Sequence, residues 1–262
     1  AVLTGAAPET IMIGLPQDGE SCQRQLELTF SIGSTFGCNE TWSGGNDKYF
    51  AFIQNTVVPA VLANLSVTLG EVAMTGASYG GLTSCYAASA LPQYFQRAFC
   101  QSPSVWWNYA ELPDVIKSNA QLRGLPKSVI MYIGTIEMQA PGFTNASQTE
   151  TVSWFSRVNA TAEAWRAGGL DSSNLRLFTL SGGQHDKTAW TSAFSEGIGH
   201  MYAPGFASPF QAQYDHNLNV IYPVDAGTTS DPAAAASTSI DDDDDDAASS
   251  MDFHVALTVL AV

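Results

Sequence analysis

The sequence is poor in charged residues, and above all in basic ones. Asp, Glu, Lys and Arg make up 13% of its 262 residues, whereas a soluble domain carries about 25%. Only 10 residues are Lys or Arg, against 25 Asp or Glu, so the formal net charge is −15. Such an acidic chain repels a phosphate backbone, and we therefore expect no nucleic-acid partner.

Metal-binding clusters and membrane-spanning runs are also missing from the sequence. Its 4 cysteines form no CxxC pair and no Cys/His group with zinc-ligand spacing. The apolar run at residues 253–262 has 10 residues, about half of what a membrane-spanning helix needs. The sequence thus predicts no metal site and no membrane span, and the apolar run is interpreted as an unstructured tail.

The four cysteines lie in different surroundings. Cys22 and Cys38 flank a polar, Gly-containing loop, which makes them candidates for a disulfide, and the sequence leaves this pairing open. Cys85 and Cys100 lie among apolar residues, where buried free thiols are expected.

Sequons and composition predict an extracellular, secreted glycoprotein. Asn-x-Ser/Thr sequons begin at Asn39, Asn64, Asn145 and Asn159, in a chain with few lysines and many Ser and Thr residues. The chain begins Ala-Val-Leu, without an initiator Met or a signal-peptide pattern, so we expect a processed N-terminus or a fragment.

Short apolar runs alternate with helical patterns of ten or more residues. Strands are predicted at residues 10–15, 71–76, 97–102, 128–134 and 174–180. Helices are predicted at residues 47–65 with a kink near Pro59, 82–91, 110–122, 151–168 and 187–198, and residues 17–46 are interpreted mostly as loop. This alternation predicts an α/β fold with a mostly parallel sheet and helices on both faces.

The composition changes after about residue 204. The chain becomes rich in Pro, Ala, Ser and Asp, and residues 241–246 are all Asp. We therefore predict that residues 1–204 form the α/β domain and that residues 205–262 form an irregular, largely disordered acidic tail.

A candidate nucleophile lies between a predicted strand and a predicted helix. The G-x-S-x-G pattern reads Gly76-Ala77-Ser78-Tyr79-Gly80, and in this setting it is typical of a serine on a strained strand-to-helix turn. A serine hydroxyl needs a base, a group that orients the base, and donors for the oxyanion. Ser78 is the predicted nucleophile, and the backbone N–H of Tyr79 is the predicted oxyanion donor.

The base is predicted to be His185, in the loop after the last predicted strand. The other histidines, His200, His216 and His254, end a helix or lie in or near the irregular tail and are interpreted as surface residues. Chain order Ser, acid, His then favours an acid between residues 78 and 185.

Glu137 is the candidate acid because it stands just past the end of the strand at residues 128–134. It would hold the imidazole and stabilise the imidazolium. Glu150 and Asp171 remain competitors, while Asp186 is too close to His185 in the chain to orient it. Trp106 and Trp107 follow the third strand, and they either line a substrate pocket or cover the core.

Five sequence pieces together resemble the esterase family of the α/β-hydrolase superfamily that includes the enterochelin (siderophore) esterases. They are Gly-Gly-Asn-Asp-Lys-Tyr-Phe at residues 44–50, Gly-Ala-Ser-Tyr-Gly-Gly at 76–81, Ser-Pro-Ser-Val-Trp-Trp at 102–107, Gly-Thr-Ile-Glu at 134–137 and Gly-Gly-Gln-His at 182–185. The resemblance implies an α/β-hydrolase fold, ester hydrolysis, no metal or organic cofactor, Ser78 as nucleophile and His185 as base. It is less decisive on the acid.

The resemblance begins at what would be the fourth strand of that fold. We therefore expect an N-terminally truncated sheet without the loop that would supply a second oxyanion donor. The predicted function is a serine esterase that hydrolyses a small-molecule carboxylic ester through an acyl-enzyme. An acyltransferase with the same triad and a non-catalytic hydrolase-like protein remain alternatives, and the sequence sets neither the ester nor the oligomeric state.

Overall fold

The computed structural model describes residues 10–16, 21–33, 38–39, 41, 43–67, 69–137, 154–202, 213–214, 220–221 and 253–261. Its strands are β1 (Thr10–Pro16), β2 (Leu69–Ala77), β3 (Phe95–Gln101), β4 (Ser128–Gly134), β5 (Leu175–Leu180), β6 (Gln213–Tyr214), β7 (Val220–Ile221) and β8 (Phe253–Ala261). Its helices are α1 (Ser21–Leu28), α2 (Asn46–Phe52), α3 (Val58–Leu65), α4 (Tyr79–Ala90), α5 (Trp107–Ala110), α6 (Leu112–Arg123), α7 (Trp154–Ala167) and α8 (Lys187–Tyr202).

The main sheet of the described chain has six strands in the order β1-β8-β2-β3-β4-β5. Strands β2 to β5 pair in parallel, while β8 runs antiparallel to both β1 and β2. The expected α/β fold with a mostly parallel sheet is thus confirmed. The parallel strands turn all their carboxyl ends to one edge, where an open α/β sheet binds its ligands.

Side chains of the central strands alternate between two cores, one on each face of the sheet. On one face, residues such as Met74, Cys100 and Met131 pack with helices α2, α4, α6 and α7. On the other face, Phe99 and Ile130 pack under α8. The period-2 alternation of the strands explains why both faces are apolar and why helices cover both.

Most predicted elements appear close to their predicted bounds, and β4 coincides with its prediction. The helical pattern at residues 47–65 contains a π-helical turn, Ile53–Val57, which ends just before the helix that carries Pro59 in its first turn. Proline lacks an N–H and disfavours a regular helix just before it, so the expected interruption falls on its N-terminal side.

One expectation from the sequence needs an addition and another needs correction. Residues 17–46 include a helix that the sequence did not predict, α1, which packs against α2 and α4. The apolar run near the C-terminus is not unstructured, because it supplies β8 inside the main sheet. The rest of the predicted acidic tail lies largely outside the described residues, so its disorder and the boundary at residue 204 stay predictions.

The cysteines provide another correction. Cys22 and Cys38 form a disulfide with Cα atoms 5.4 Å apart, which settles the pairing that the sequence left open. Cys85 and Cys100 are not free thiols but also form a disulfide, with Cα atoms 5.8 Å apart. Helix α4 lies directly on β3, and this contact brings Cys85 within disulfide reach of Cys100.

Two kinds of feature are absent from the described ranges. None of their helices is long and apolar enough to cross a membrane. They also contain no group of three or more His, Cys, Asp or Glu side chains arranged to hold a metal ion.

Candidate active site

Ser78 occupies a strained turn between β2 and α4. Its backbone has φ 60° and ψ −120°, in a region that an L-residue rarely adopts. Backbone hydrogen bonds hold the turn: Ser78 N–H donates to Gln101 O at 3.1 Å, and Ser78 O accepts from Ser104 N–H at 3.1 Å and Leu82 N–H at 3.0 Å. The half-buried Ser78 hydroxyl is thereby presented at the carboxyl end of the sheet.

Glu137 and His185 form a close pair at the same edge of the sheet. His185 Nδ1 lies 3.2 Å from Glu137 Oε2, and the two side chains are 7% and 1% exposed. The other carboxylate oxygen, Oε1, accepts from Gly134 N–H at 2.8 Å and from the Ser102 hydroxyl. An ionised carboxylate only accepts, so Nδ1 carries the imidazole hydrogen and Nε2 keeps a lone pair.

Two glycines bring the Glu137 loop and the His185 loop together. A Cβ at Gly134 would lie 2.2 Å from Gly183 O, and a Cβ at Gly183 would lie 2.6 Å from the Tyr132 hydroxyl oxygen. Ile136 N–H donates to Gly183 O at 3.1 Å in the same contact. The loops after β4 and β5 therefore touch through their backbones, and this contact requires glycine.

The loop at residues 102–104 connects Ser78 with the Glu137–His185 pair. Ser104 Oγ lies 3.4 Å from Ser78 Oγ, while the Ser102 hydroxyl reaches Glu137 two residues earlier. The structure thus brings Ser78, Glu137 and His185 to one edge of the sheet, around a loop that contacts both the serine and the carboxylate.

Two tryptophans that the sequence did not single out surround the imidazole. The ring centroids of Trp154 and Trp190 lie 4.5 and 4.9 Å from that of His185, and the Trp190 ring is perpendicular to the imidazole, at 89°. Trp154 Nε1 also donates to Pro103 O at 2.8 Å. Trp190 lies five residues after His185, in the first turn of α8. This short spacing is the sequence signal that could have identified Trp190 as a neighbour of the imidazole.

The two predicted pocket residues have different environments. Trp106 is half-buried, with its ring 5.8 Å from that of Tyr79 and 6.4 Å from that of Trp154. Trp107 is 1% exposed and donates from Nε1 to Ser31 Oγ at 3.1 Å. The position of Trp107 therefore favours the interpretation that it covers the core.

The competing acids lie elsewhere. Asp171 belongs to the exposed turn before β5, at the opposite edge of the sheet, where it accepts from Ser173 N–H at 2.7 Å. Asp186 is exposed and accepts from Ala189 N–H at 2.8 Å, as a cap of α8. Glu150 lies outside the described residues.

Two of the three remaining histidines, His200 and His254, lie within the described residues. His200 is not a surface residue as predicted: it is 3% exposed, and its Nδ1 lies 2.8 Å from Arg176 Nη1. His216 lies outside the described residues, and His254 is part of β8.

Burial shifts the pKa values of two side chains near the site. It raises the pKa of Tyr132 well above its usual range, and the negative charges of Glu137 and Asp186 add to this effect. Burial lowers the pKa of Arg24, although Tyr79 acts in the opposite direction. The Arg24 guanidinium lies 5.1 Å from the centre of the Tyr79 ring, so a positive charge stands beside the Ser78 turn.

The sequence matches a known family over most of its length. The family model described as "Putative esterase" matches residues 1–201. The chain belongs to this esterase family. Membership confirms the resemblance found in the sequence, and the sheet described above is the α/β-hydrolase fold of its structural relatives.

Siderophore esterases of fungi are among the similar proteins. A siderophore triacetylfusarinine C esterase of Aspergillus fumigatus is 36% identical over 99 residues, which cover 37% of this chain and 34% of that protein. The match thus spans about a third of the relative's length. The siderophore hydrolase EstB of Aspergillus nidulans is 25% identical with a TM-score of 0.50, over 76% of this chain and 71% of that structure.

A bacterial structure shares the fold of this esterase-family chain. The BES protein of Bacillus cereus is 21% identical with a TM-score of 0.54, and the match covers 69% of this chain and 64% of that structure.

Proposed function

We propose that this chain is a serine esterase that hydrolyses a carboxylic ester through an acyl-enzyme intermediate. The observation that carries the proposal is the strained Ser78 turn at the same sheet edge as the buried Glu137–His185 pair. A buried carboxylate on Nδ1 directs the imidazole lone pair to Nε2, as a general base for a serine requires.

In the proposed first half-reaction, His185 Nε2 takes the hydroxyl proton while Ser78 Oγ bonds to the ester carbonyl carbon. Glu137 stabilises the imidazolium that forms. The tetrahedral intermediate then expels the alcohol, which receives the proton from His185. In the second half-reaction, water attacks the acyl-serine in the same way and releases the acid with free Ser78.

The developing oxyanion would be stabilised by the backbone N–H of Tyr79. Tyr79 is the first residue of α4, so its N–H lies at the positive end of the helix dipole. This end of the helix favours a negative oxygen beside Ser78.

The proposed substrate is a small siderophore ester. Two fungal relatives support this choice, because one is a triacetylfusarinine C esterase and the other is a siderophore hydrolase. The half-buried Trp106, next to Tyr79 and Trp154, is the proposed wall of the binding pocket. Its indole face suits an apolar or aromatic part of the ester.

The test compares wild type with Ser78→Ala on a short-chain aryl ester and on triacetylfusarinine C, and labels both with a fluorophosphonate probe. We expect wild type to turn over ester and to be labelled at Ser78. The variant should lose at least about a thousandfold in kcat and take no label. Turnover by Ser78→Ala at the wild-type rate would remove the proposal, as would a folded, unlabelled wild type.

We further propose that the protein is secreted and glycosylated. Disulfides persist in oxidising compartments, and Cys22–Cys38 and Cys85–Cys100 are both formed. The sequon residues Asn39 and Asn64 are exposed, as glycan attachment requires. Intact mass of protein from a eukaryotic host, before and after peptide N-glycosidase, tests this; an unchanged mass would contradict glycosylation.

A further inference from the structure

A hydrogen bond from Trp190 sets the direction of the hydroxyl of Ser102. Trp190 Nε1 lies 2.9 Å from Ser102 Oγ. An indole N–H only donates, so the hydroxyl oxygen must accept this bond. The Ser102 proton is then directed to its other partner, Oε1 of Glu137.

The carboxylate of Glu137 therefore receives donors on both oxygens. Ser102 and the backbone N–H of Gly134 donate to Oε1, and His185 Nδ1 faces Oε2. Ser102 is 0% exposed and Glu137 is 1% exposed. A carboxylate removed from water in this way needs such donors to stay ionised.

The backbone of Ser102 is strained in a way that serves this contact. Its φ of 39° lies in the left-handed region, at the residue that follows β3. Its N–H donates to Tyr132 O at 2.7 Å, which holds the turn against the neighbouring strand. Strained non-glycine residues persist where the surroundings over-determine them, and they cluster at functional sites.

We infer that Ser102 and Trp190 are positioning residues that hold the Glu137 carboxylate in place for His185. This inference rests on the proposed function. A directed series of hydrogen bonds runs from Trp190 N–H to the Ser102 hydroxyl and on to Glu137, which accepts from His185 Nδ1. Trp190 has a second role, because its ring system also packs perpendicular to the imidazole. Ser102 and Trp190 together restrict the imidazole of His185 to one orientation, with its lone pair on Nε2.

The variants Ser102→Gly and Trp190→Phe remove the two hydrogen bonds separately. Glycine accepts a positive φ, so Ser102→Gly loses the hydroxyl without added backbone strain. Phenylalanine keeps an aromatic ring beside His185 but lacks the indole N–H. Matched controls are Ser128→Ala, a buried serine at the opposite end of β4, and Trp165→Phe, a buried tryptophan of α7 whose Nε1 has no partner among the described residues.

We expect Ser102→Gly to lower kcat about 10- to 100-fold, the size of one hydrogen bond to a charged group. Trp190→Phe removes a bond between two neutral groups, so we expect it to lower kcat about 3- to 10-fold. KM should stay within about twofold, because the carboxylate does not touch the ester. The controls should keep wild-type kcat. Glu137→Gln belongs in the same series: if it matches wild type, the role proposed for Glu137 fails and the inference falls with it. If Glu137→Gln is impaired while Ser102→Gly and Trp190→Phe match the controls, the inference alone is overturned.

Proton NMR gives a readout that does not depend on turnover. The His185 Nδ1–H that donates to a buried carboxylate should give a strongly deshielded resonance, assigned by its loss in His185→Gln. We expect this resonance to shift or broaden in Ser102→Gly and Trp190→Phe and to persist in both controls. A resonance identical to that of wild type in both test variants would overturn the inference.

Discussion

Ser78 has a backbone conformation that suits glycine better than serine, and the fold forces a side chain into it. At φ 60° and ψ −120°, a residue with a Cβ lowers the free energy of unfolding by roughly 1–3 kcal/mol. The hydrogen bonds of the turn to Gln101 and Ser104 maintain this geometry. The strained conformation presents the hydroxyl at the sheet edge. The geometry that the proposed chemistry needs therefore lowers the stability of the folded protein at this residue.

At the residue scale we predict that Ser78→Gly is more stable to urea than Ser78→Ala by about 1 kcal/mol or more. Both variants lose the hydroxyl, and only glycine relieves the strained φ. The control pair is Ser84→Gly and Ser84→Ala within α4, where alanine should be better by about 1 kcal/mol. If alanine is also the more stable residue at position 78, the turn is not strained in solution.

Sequence reasoning selected Ser78, Glu137 and His185, and the structure places all three at one edge of the sheet, although their roles stay predictions. It did not find Ser102, Trp154 or Trp190 as neighbours of the pair. Ser102 contacts Glu137 from the loop after β3, and Trp190 reaches Ser102 from α8. Such contacts join segments that are distant in the chain, and no local pattern encodes them.

At the element scale, Glu71 ties together several segments at the amino end of the sheet. It belongs to β2 and accepts from Arg97 Nε of β3 at 2.7 Å and from Lys127, just before β4. Arg97 Nη1 also donates to Met201 O, near the end of α8, at 2.6 Å. Burial acts to raise the pKa of Glu71, but the hydrogen bonds from Lys127 and Arg97 outweigh it and lower the pKa.

We predict that Glu71→Gln lowers the free energy of unfolding by about 1–2 kcal/mol at pH 7. A carboxylate whose pKa is lowered in the folded state contributes stability above its unfolded pKa, about 4.3, and loses it as the pH falls through the folded value. The difference from wild type should therefore begin to shrink as the pH falls below about 4.3 and vanish below the folded pKa of Glu71. Urea unfolding across pH measures it, with Glu163→Gln as a control, since Glu163 pairs with Arg166 only on the surface. A pH-independent difference would contradict the ionic origin.

At the scale of the whole molecule, the C-terminal segment completes the main sheet. Strand β8 lies between β1 and β2, with Leu257 opposite Ile13 on one side and Met74 on the other. Without it, β1 would have no partner within the described sheet. A strand paired on both sides cannot lose N–H groups without leaving ladder carbonyls unsatisfied.

We predict that Leu257→Pro destabilises the protein by about 2–4 kcal/mol, because proline removes a ladder donor from a strand inside the sheet. Ala247→Pro, outside the bounds of β8, is the control and should change stability by less than about 0.5 kcal/mol. Urea unfolding followed by tryptophan fluorescence measures both. Equal midpoints for the two variants would show that β8 does not pair with the sheet in solution.

The sequence by itself determined the fold class, the bounds of β4 and the strand-to-helix setting of Ser78. These follow from hydrophobic periodicity and short motifs, which act over a few residues. The tertiary structure decided the Cys85–Cys100 disulfide, the placement of β8 and the surroundings of Glu137 and His185. Each of these depends on which distant segments become neighbours when the helices pack on the sheet. The burial of both apolar faces of the sheet determines those neighbours, and it involves the whole chain at once.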